Sequence, residues 1–354
     1  MIFRQSLQRE LSRTFIATLL VLVTIVMTMM LIRTLGLASK GSINPQEVLL
    51  MMAYSVMGHA PTILTLSLFI TLVSTLARMM GDSEMVIWLS SGKSLLSFLR
   101  PLFTFSAPIL VTIAVMVLIV WPWANSQMQG LRDRFERRGD LERIAPGEFQ
   151  ESANGKRVYY IDKGVAGSSD LSNSRNVFIA NFENGKESVT VAQSGHTELQ
   201  DGHKFIVLNN GQRVEFDPIK GDIKLIEFQV MGSRVDASSG LEQTSPPNNR
   251  STKDLVLEHK KDDLGELAWR LGLIFAAINF VLLSLAMSNN NPRSGRGGHL
   301  MLAMLTFIVY YNLINVSQNW IASGRLDIFS AVGLLHGSAF LLSLTWLVWR
   351  QYRP

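Results

Sequence analysis

"FIATLLVLVTIVMTMMLI", residues Phe15–Ile32, carries no charged side chain. A bilayer core needs roughly 20 apolar residues wound as a helix. The helix is the form that satisfies its own backbone in lipid. A secretory signal core is shorter, about 7–15 residues, and ends in a small-residue cleavage site. This stretch is too long and is followed by no such site, so it reads as an uncleaved span.

Five further segments share its character: about Val48–Leu76, interrupted by His59 and Pro61, then Leu102–Trp121, Leu267–Met287, Leu300–Ile321 and Ile328–Trp349. The average conceals them. The 354 residues are 47% hydrophobic with a mean hydropathy of +0.21, too apolar for one soluble domain and too polar for an all-membrane chain. No cysteine is present, which excludes disulfides and thiolate metal sites.

The net charge of +5 does not describe a nucleic-acid face. Residues 130–266 hold 19 Lys+Arg against 23 Asp+Glu, a net of −4, and the rest of the chain is +9. The positive charge thus lies among the apolar segments, as in membrane proteins. Arg4, Arg9, Arg13, Arg78, Lys93, Arg100, Arg293, Arg296, Arg350 and Arg353 fall in alternate short loops and ends. Only Arg33, Lys40 and Arg325 fall on the opposite side. Ten against three puts both termini in the cytoplasm. Trp121, Trp123, Trp269, Trp320, Trp346 and Trp349 stand near segment ends, where an amphipathic ring suits the interface.

Between the third and fourth spans the pattern is β. Candidate strands are Arg157–Ile161, Asn176–Phe182, Ser188–Gln193, Lys204–Leu208, Arg213–Phe216 and Lys224–Val230. Asn184-Gly185, Asp201-Gly202, Asn210-Gly211 and Gly221 separate them as turn formers. A sandwich, jelly roll or open barrel fits. Residues 237–263 are polar and proline-broken, so a mobile return linker is expected. The organisation is three spans over 1–123, an outer β domain with its linker over 124–266, and three spans over 267–354.

"GDSEMVIWLSSGKSLL", Gly81–Leu96, ends like a nucleotide-binding loop, but Ile87 stands where the first glycine must be. Met85, Trp88 and Leu89 share one helical face instead. Asp82 or Ser83 can cap the start and Gly92 the end. A short amphipathic helix at 82–92 results, either lying on lipid or docking a cytoplasmic partner. Asp82 and Glu84 disfavour an anionic leaflet, and Trp88 is a common interface anchor.

No His-Glu-x-x-His set, carboxylate pair within a span or nucleophile elbow occurs, so enzyme chemistry finds no residues. His59 and His336 lie in spans and suit helix–helix hydrogen bonds. Arg33, Lys40, Arg270 and Arg325 sit at outer membrane ends. They either snorkel to headgroups or form a cationic ring for an anionic lipid. Asn312 and Asn315, with Tyr311 beside them, make a polar face on the fifth span that should turn to protein or a cavity.

Six fragments in order carry a resemblance: "RTLG" at Arg33–Gly36, "DSEMVIWLSSGKS" at Asp82–Ser94, "WPW" at Trp121–Trp123, "GEFQ" at Gly147–Gln150, "LAWRL" at Leu267–Leu271 and "NPRSGR" at Asn291–Arg296. Together they resemble the LptF/LptG family of lipopolysaccharide export permeases over essentially the whole chain. The resemblance implies six transmembrane helices with a periplasmic β-jelly roll between the third and fourth. It implies an inner-membrane transport subunit that pairs with LptG, docks a dimer of the ATPase LptB and meets LptC. ATP and magnesium would be bound by that ATPase and not by this chain. Asp82, Glu84, Met85, Trp88 and Leu89 would form the coupling helix, with Glu84 at the family's acidic position. Arg33 matches a contact to lipid A phosphate. The first and fifth spans would line lateral gates. Ile87–Ser91 departs from the mixed basic and alanine run more usual there. A membrane-tethered receptor or scaffold is the alternative, and it would need neither a docking helix nor a polar fifth span.

Overall fold

The computed structural model describes residues 2–39, 45–92, 94–137, 149–151, 157–161, 174–183, 186–200, 203–217, 221–234, 246–288 and 296–352. The chain divides into two compact units. One is helical, comprising 1–36, 46–129 and 244–354; the other, 37–45 and 130–243, carries the sheet.

Six described helices are long and apolar enough to cross a membrane, and they coincide with the six apolar segments. They are α1 (Ile2–Ser39), α2 (Val48–Gly81), the run α4 (Leu99–Val115) and α5 (Trp121–Arg137), α7 (Lys261–Met287), α8 (Arg296–Ala322) and α9 (Ile328–Tyr352). A π turn, Met116–Val120, joins α4 to α5. Two short helices are α3 (Glu84–Ser90) and α6 (Thr252–Glu258). α2 and α7 are the most buried, whereas α1 is almost bare along its length. Apolar side chains facing lipid gain little from one another, so close packing and interhelical hydrogen bonds hold such bundles. Gly265 shows the first: a Cβ there would lie 2.9 Å from the Gln318 carbonyl oxygen, so α7 and α8 touch at the backbone. Asn279 shows the second, donating to Tyr310 Oη at 2.8 Å and the His336 carbonyl at 3.0 Å. His336 Nδ1 lies 2.9 Å from Tyr310 Oη, so three helices share one buried knot. His59 stays within its own turn, on the Ser55 carbonyl.

The sheet unit is a six-stranded antiparallel meander in chain order. Its strands are β1 (Gln150–Glu151), β2 (Arg157–Ile161), β3 (Ser174–Glu183), β4 (Lys186–Gln200), β5 (His203–Asp217) and β6 (Asp222–Arg234). This is the all-β insert of the expected fold class. One expectation fails. Asn210-Gly211 is no hairpin turn but lies inside the 15-residue β5. Asn210 has φ +50° and Asn176 in β3 has φ +55°, a left-handed geometry that asparagine tolerates better than most residues. The register is unbroken around both, with Val177↔Ala192 and Arg175↔Ser194 in one pair, and Gly211↔Ala192 and Asn209↔Ser194 in the next. Both asparagines therefore fall on one transverse line through Gln193, a crease across the sheet. Gly211 permits it: a Cβ there would sit 2.4 Å from the Val191 carbonyl oxygen and 2.5 Å from the Phe228 ring. Gly211→Ala is expected to destabilise the sheet by at least about 1–3 kcal/mol, the range for overpacking. Limited proteolysis checks it, through faster cleavage of the β unit with the helices still protected.

Residues 237–245 of the expected return linker lie outside the described residues; from 246 on it is more ordered than expected. Pro247–Asn249 forms a 3-10 turn. Ser251 Oγ caps α6 by accepting from the Asp254 N–H at 3.2 Å, as its Ser-Thr-Lys-Asp sequence suits. Residues 246–260 belong to the helical unit.

Candidate functional site: a short amphipathic helix, a buried arginine latch and an apolar sheet face

α3 forms where the amphipathic pattern puts it, but its capping differs. Ser83 adopts φ +60° with no side-chain cap, and Asp82 instead binds Arg78. Gly92, at φ +85°, closes the helix as its N–H reaches the Leu89 carbonyl at 3.0 Å. Met85 is fully buried, and Trp88 and Leu89 pack half-buried against the same core, with Leu76, Met80, Leu95 and Phe98. The face expected to meet a partner is turned into this chain's own core. The outward face is Val86 and Ile87, at 48% and 65% exposure, flanked by Asp82, Glu84 and Ser90. A face read from periodicity alone is equally suited to either neighbour, so the sequence held no sign of which one it met.

Arg78, one of the loop cations in the sequence, organises the helix start. Its guanidinium forms a bidentate pair with Glu10 of α1. It also reaches Asp82 Oδ2 at 2.8 Å and Glu84 Oε1 at 3.0 Å. The i,i+4 spacing of Arg78 and Asp82 was the one available signal.

Arg270 is 0% exposed and is bound by protein throughout. Nε donates to Glu266 Oε1 at 3.0 Å and Nη1 to Thr252 Oγ1 at 2.8 Å. Nη2 donates to the carbonyls of Arg250 at 3.1 Å and Pro247 at 3.4 Å. Glu266 in turn accepts from Trp121 Nε1 at 3.0 Å and Gln318 Nε2 at 3.2 Å. Thr252 donates onward to the Leu118 carbonyl, within the π turn, at 2.6 Å. Arg250 joins Asp263 at 2.7 Å and Glu258. The Lys260 ammonium and the Arg250 guanidinium hold the Glu258 carboxyl below its ordinary range. Arg270 is thus no open ligand cation. It latches the returning chain to α7, α5 and α8, and desolvation is offset because every charge finds a partner.

The other expected cations differ. Arg33 and Arg325 are exposed, and neither forms an ion pair among the described residues. Lys40 lies outside those residues. On α8 the polar face splits. Asn315 accepts from Trp269 Nε1 at 3.0 Å, and Tyr311 stacks on Phe307 with centroids 5.9 Å apart. Asn312 is exposed and donates within its own turn, to the Ile308 carbonyl at 2.8 Å. Among the described residues no group of three or more His, Asp or Glu could hold a metal ion.

Within the sheet unit, register puts Ala180, Val189, Val214 and Leu225 in one cross-strand row, and Phe182, Glu187, Phe216 and Ile223 in the next on the same face. Val189, Val214, Leu225, Phe182, Phe216 and Ile223 are all 37–72% exposed. A soluble sheet normally covers such a face or makes it polar.

The family profile described as lipopolysaccharide export system permease LptF/LptG matches residues 6–350. The lipopolysaccharide export system permease protein LptF of Escherichia coli (strain K12) is 29% identical over 338 residues, 92% of this chain and 89% of that protein. The LptF of Shigella flexneri is similar to the same extent.

Proposed function

Because this chain belongs to the LptF/LptG family of lipopolysaccharide export permeases, we propose that it is the LptF-type subunit that withdraws lipopolysaccharide from the inner membrane, driven by a separate cytoplasmic ATPase. It is a multi-pass inner-membrane transport protein. In this reading both termini and α3 face the cytoplasm and the sheet unit faces the periplasm. Leu7, Leu11, Met85 and Leu347 share one cluster, which supports putting α3 and both ends of the chain on one side.

The observation that carries the reading is the bare apolar face of the sheet. A lipid with several acyl chains needs a water-shielded route, and rows of valine, leucine and phenylalanine supply one. A lipid conduit requires such a face; a partner-binding scaffold would also use one, and a crosslink to lipid separates the two. Arg33 and Arg325 then serve as cations for the anionic headgroup, with α1 and α8 lining the gates. LptG would cover exposed sides of α1 and α8, and LptC would receive the lipid from the sheet. The ATPase, an LptB dimer holding ATP and magnesium, would seat on Asp82, Glu84, Val86 and Ile87. The Arg78 cluster supports this: three carboxylates surround one guanidinium, leaving excess negative charge for a basic groove.

A photoreactive side chain at Val214 tests the reading in cells. It should crosslink lipopolysaccharide, and Arg33→Glu should lower the yield at least tenfold, as expected when a charge-assisted phosphate contact becomes repulsive. No crosslink at Val214 in the unsubstituted chain would remove the conduit.

A further inference from the structure

α1 is attached to the rest of the bundle in an uneven way. Leu7 and Leu11 are buried at its foot, at 2% and 0% exposure, in the cluster that also holds Met79, Met80 and Met85. From Ser12 to Met29 no residue is buried, apart from half-covered positions such as Phe15, whose ring meets Phe105 edge-on at 6.2 Å. At that foot the bidentate pair of Glu10 with Arg78 is the polar tie to α2. The same guanidinium holds Asp82 and Glu84 at the start of α3. Three elements therefore converge on one side chain: a long bare helix, the end of α2 and the proposed docking helix.

We infer that Arg78 is a positioning residue that relays displacement of α3 to α1, tilting α1 about its foot. The inference rests on the transport reading above, since an ATPase must move α3. A bidentate fork fixes direction as well as distance, so α3 cannot shift without pulling Glu10. Met85 and Leu11 in one core keep the joint from slipping. Between this foot and Met30 and Thr34, which are buried again near the far end, the bare shaft offers little resistance within this chain. Glu10 to Arg33 spans about 35 Å at about 1.5 Å per residue, so a tilt of about 5° moves Arg33 by about 3 Å. That suffices to make or break a headgroup contact. Lysine would keep the charge but lose the fork.

The test uses the whole complex, with its ATPase and second permease subunit, in lipid particles containing lipopolysaccharide. The chain has no cysteine, so spin labels at Leu35→Cys and Phe329→Cys are unique to it. Both sites are exposed, at 52% and 85%. Glu10→Gln, which leaves Asp82, Glu84, Val86 and Ile87 in place, should keep the ATPase bound and hydrolysing within twofold, whereas Arg78→Ala also releases Asp82 and Glu84 and is read per ATPase bound. Each should more than halve the nucleotide-dependent change in label separation and lower lipopolysaccharide released per ATP at least tenfold. Arg78→Lys should fall between. The relay is overturned if both variants show the parent's distance change, or if Glu10→Gln loses the ATPase. A parent chain that recruits no ATPase overturns the transport reading instead.

Discussion

Glu266→Ala is expected to destabilise the chain by about 3–5 kcal/mol, the range for removing one partner of a buried ion pair. Glu266 is 4% exposed. Its loss strands the Arg270 guanidinium, which is 0% exposed, and frees Trp121 Nε1 and Gln318 Nε2 within the bundle. The double change Glu266→Leu with Arg270→Met should be far milder than the single one, because replacing a buried pair by apolar side chains of similar volume is often close to neutral. Thermal unfolding of the purified chain in detergent reads both. A Glu266→Ala chain that melts like the parent would show that the latch does not hold the return segment. The double variant also separates structure from ligand binding: if it folds, lipopolysaccharide crosslinking at Val214 should persist.

The second large effect concerns α3. Ile87→Glu should weaken ATPase recruitment by about 2–4 kcal/mol, roughly 30- to 1,000-fold, as at a central interface residue. Ile87 is 65% exposed, so the melting temperature should change little. Met85→Ala should do the reverse. Met85 is fully buried, and truncation costs about 2–5 kcal/mol of stability before any interface is affected. Co-purification with the ATPase, read beside a melt of each variant, separates the two faces. Equal losses of binding from both without loss of stability would mean that the helix is oriented differently in the complex.

Much of this architecture is legible in the sequence because hydrophobic length and charge bias act over whole segments. The six spans fall where the apolar runs lie, and β2 is identical to the segment inferred from alternation, Arg157–Ile161. What escapes is decided by tertiary contact. Asn210-Gly211 has the composition of a hairpin turn, yet its neighbours in β4 and β6 continue past it and convert it into a crease. Arg270 at an apolar helix end looks like a snorkelling or ligand-binding cation; only the return of Pro247–Thr252 over α7 reveals its partners. On α3 the periodicity of Met85, Trp88 and Leu89 is correct, but its neighbour is the chain itself. Arg78 and Glu10 lie 68 positions apart, and no local rule pairs them.

In the proposed function, ATP hydrolysis by the partner ATPase drives lipopolysaccharide out of a bilayer through this subunit. The direct measurement is release from sealed vesicles holding the chain, its second permease subunit, the ATPase and lipopolysaccharide, with a periplasmic β-jelly-roll acceptor outside. The expected result is transfer to the acceptor that requires ATP and is abolished by Ile87→Glu. Transfer that proceeds equally without ATP, or none from the complete parent assembly, would contradict it.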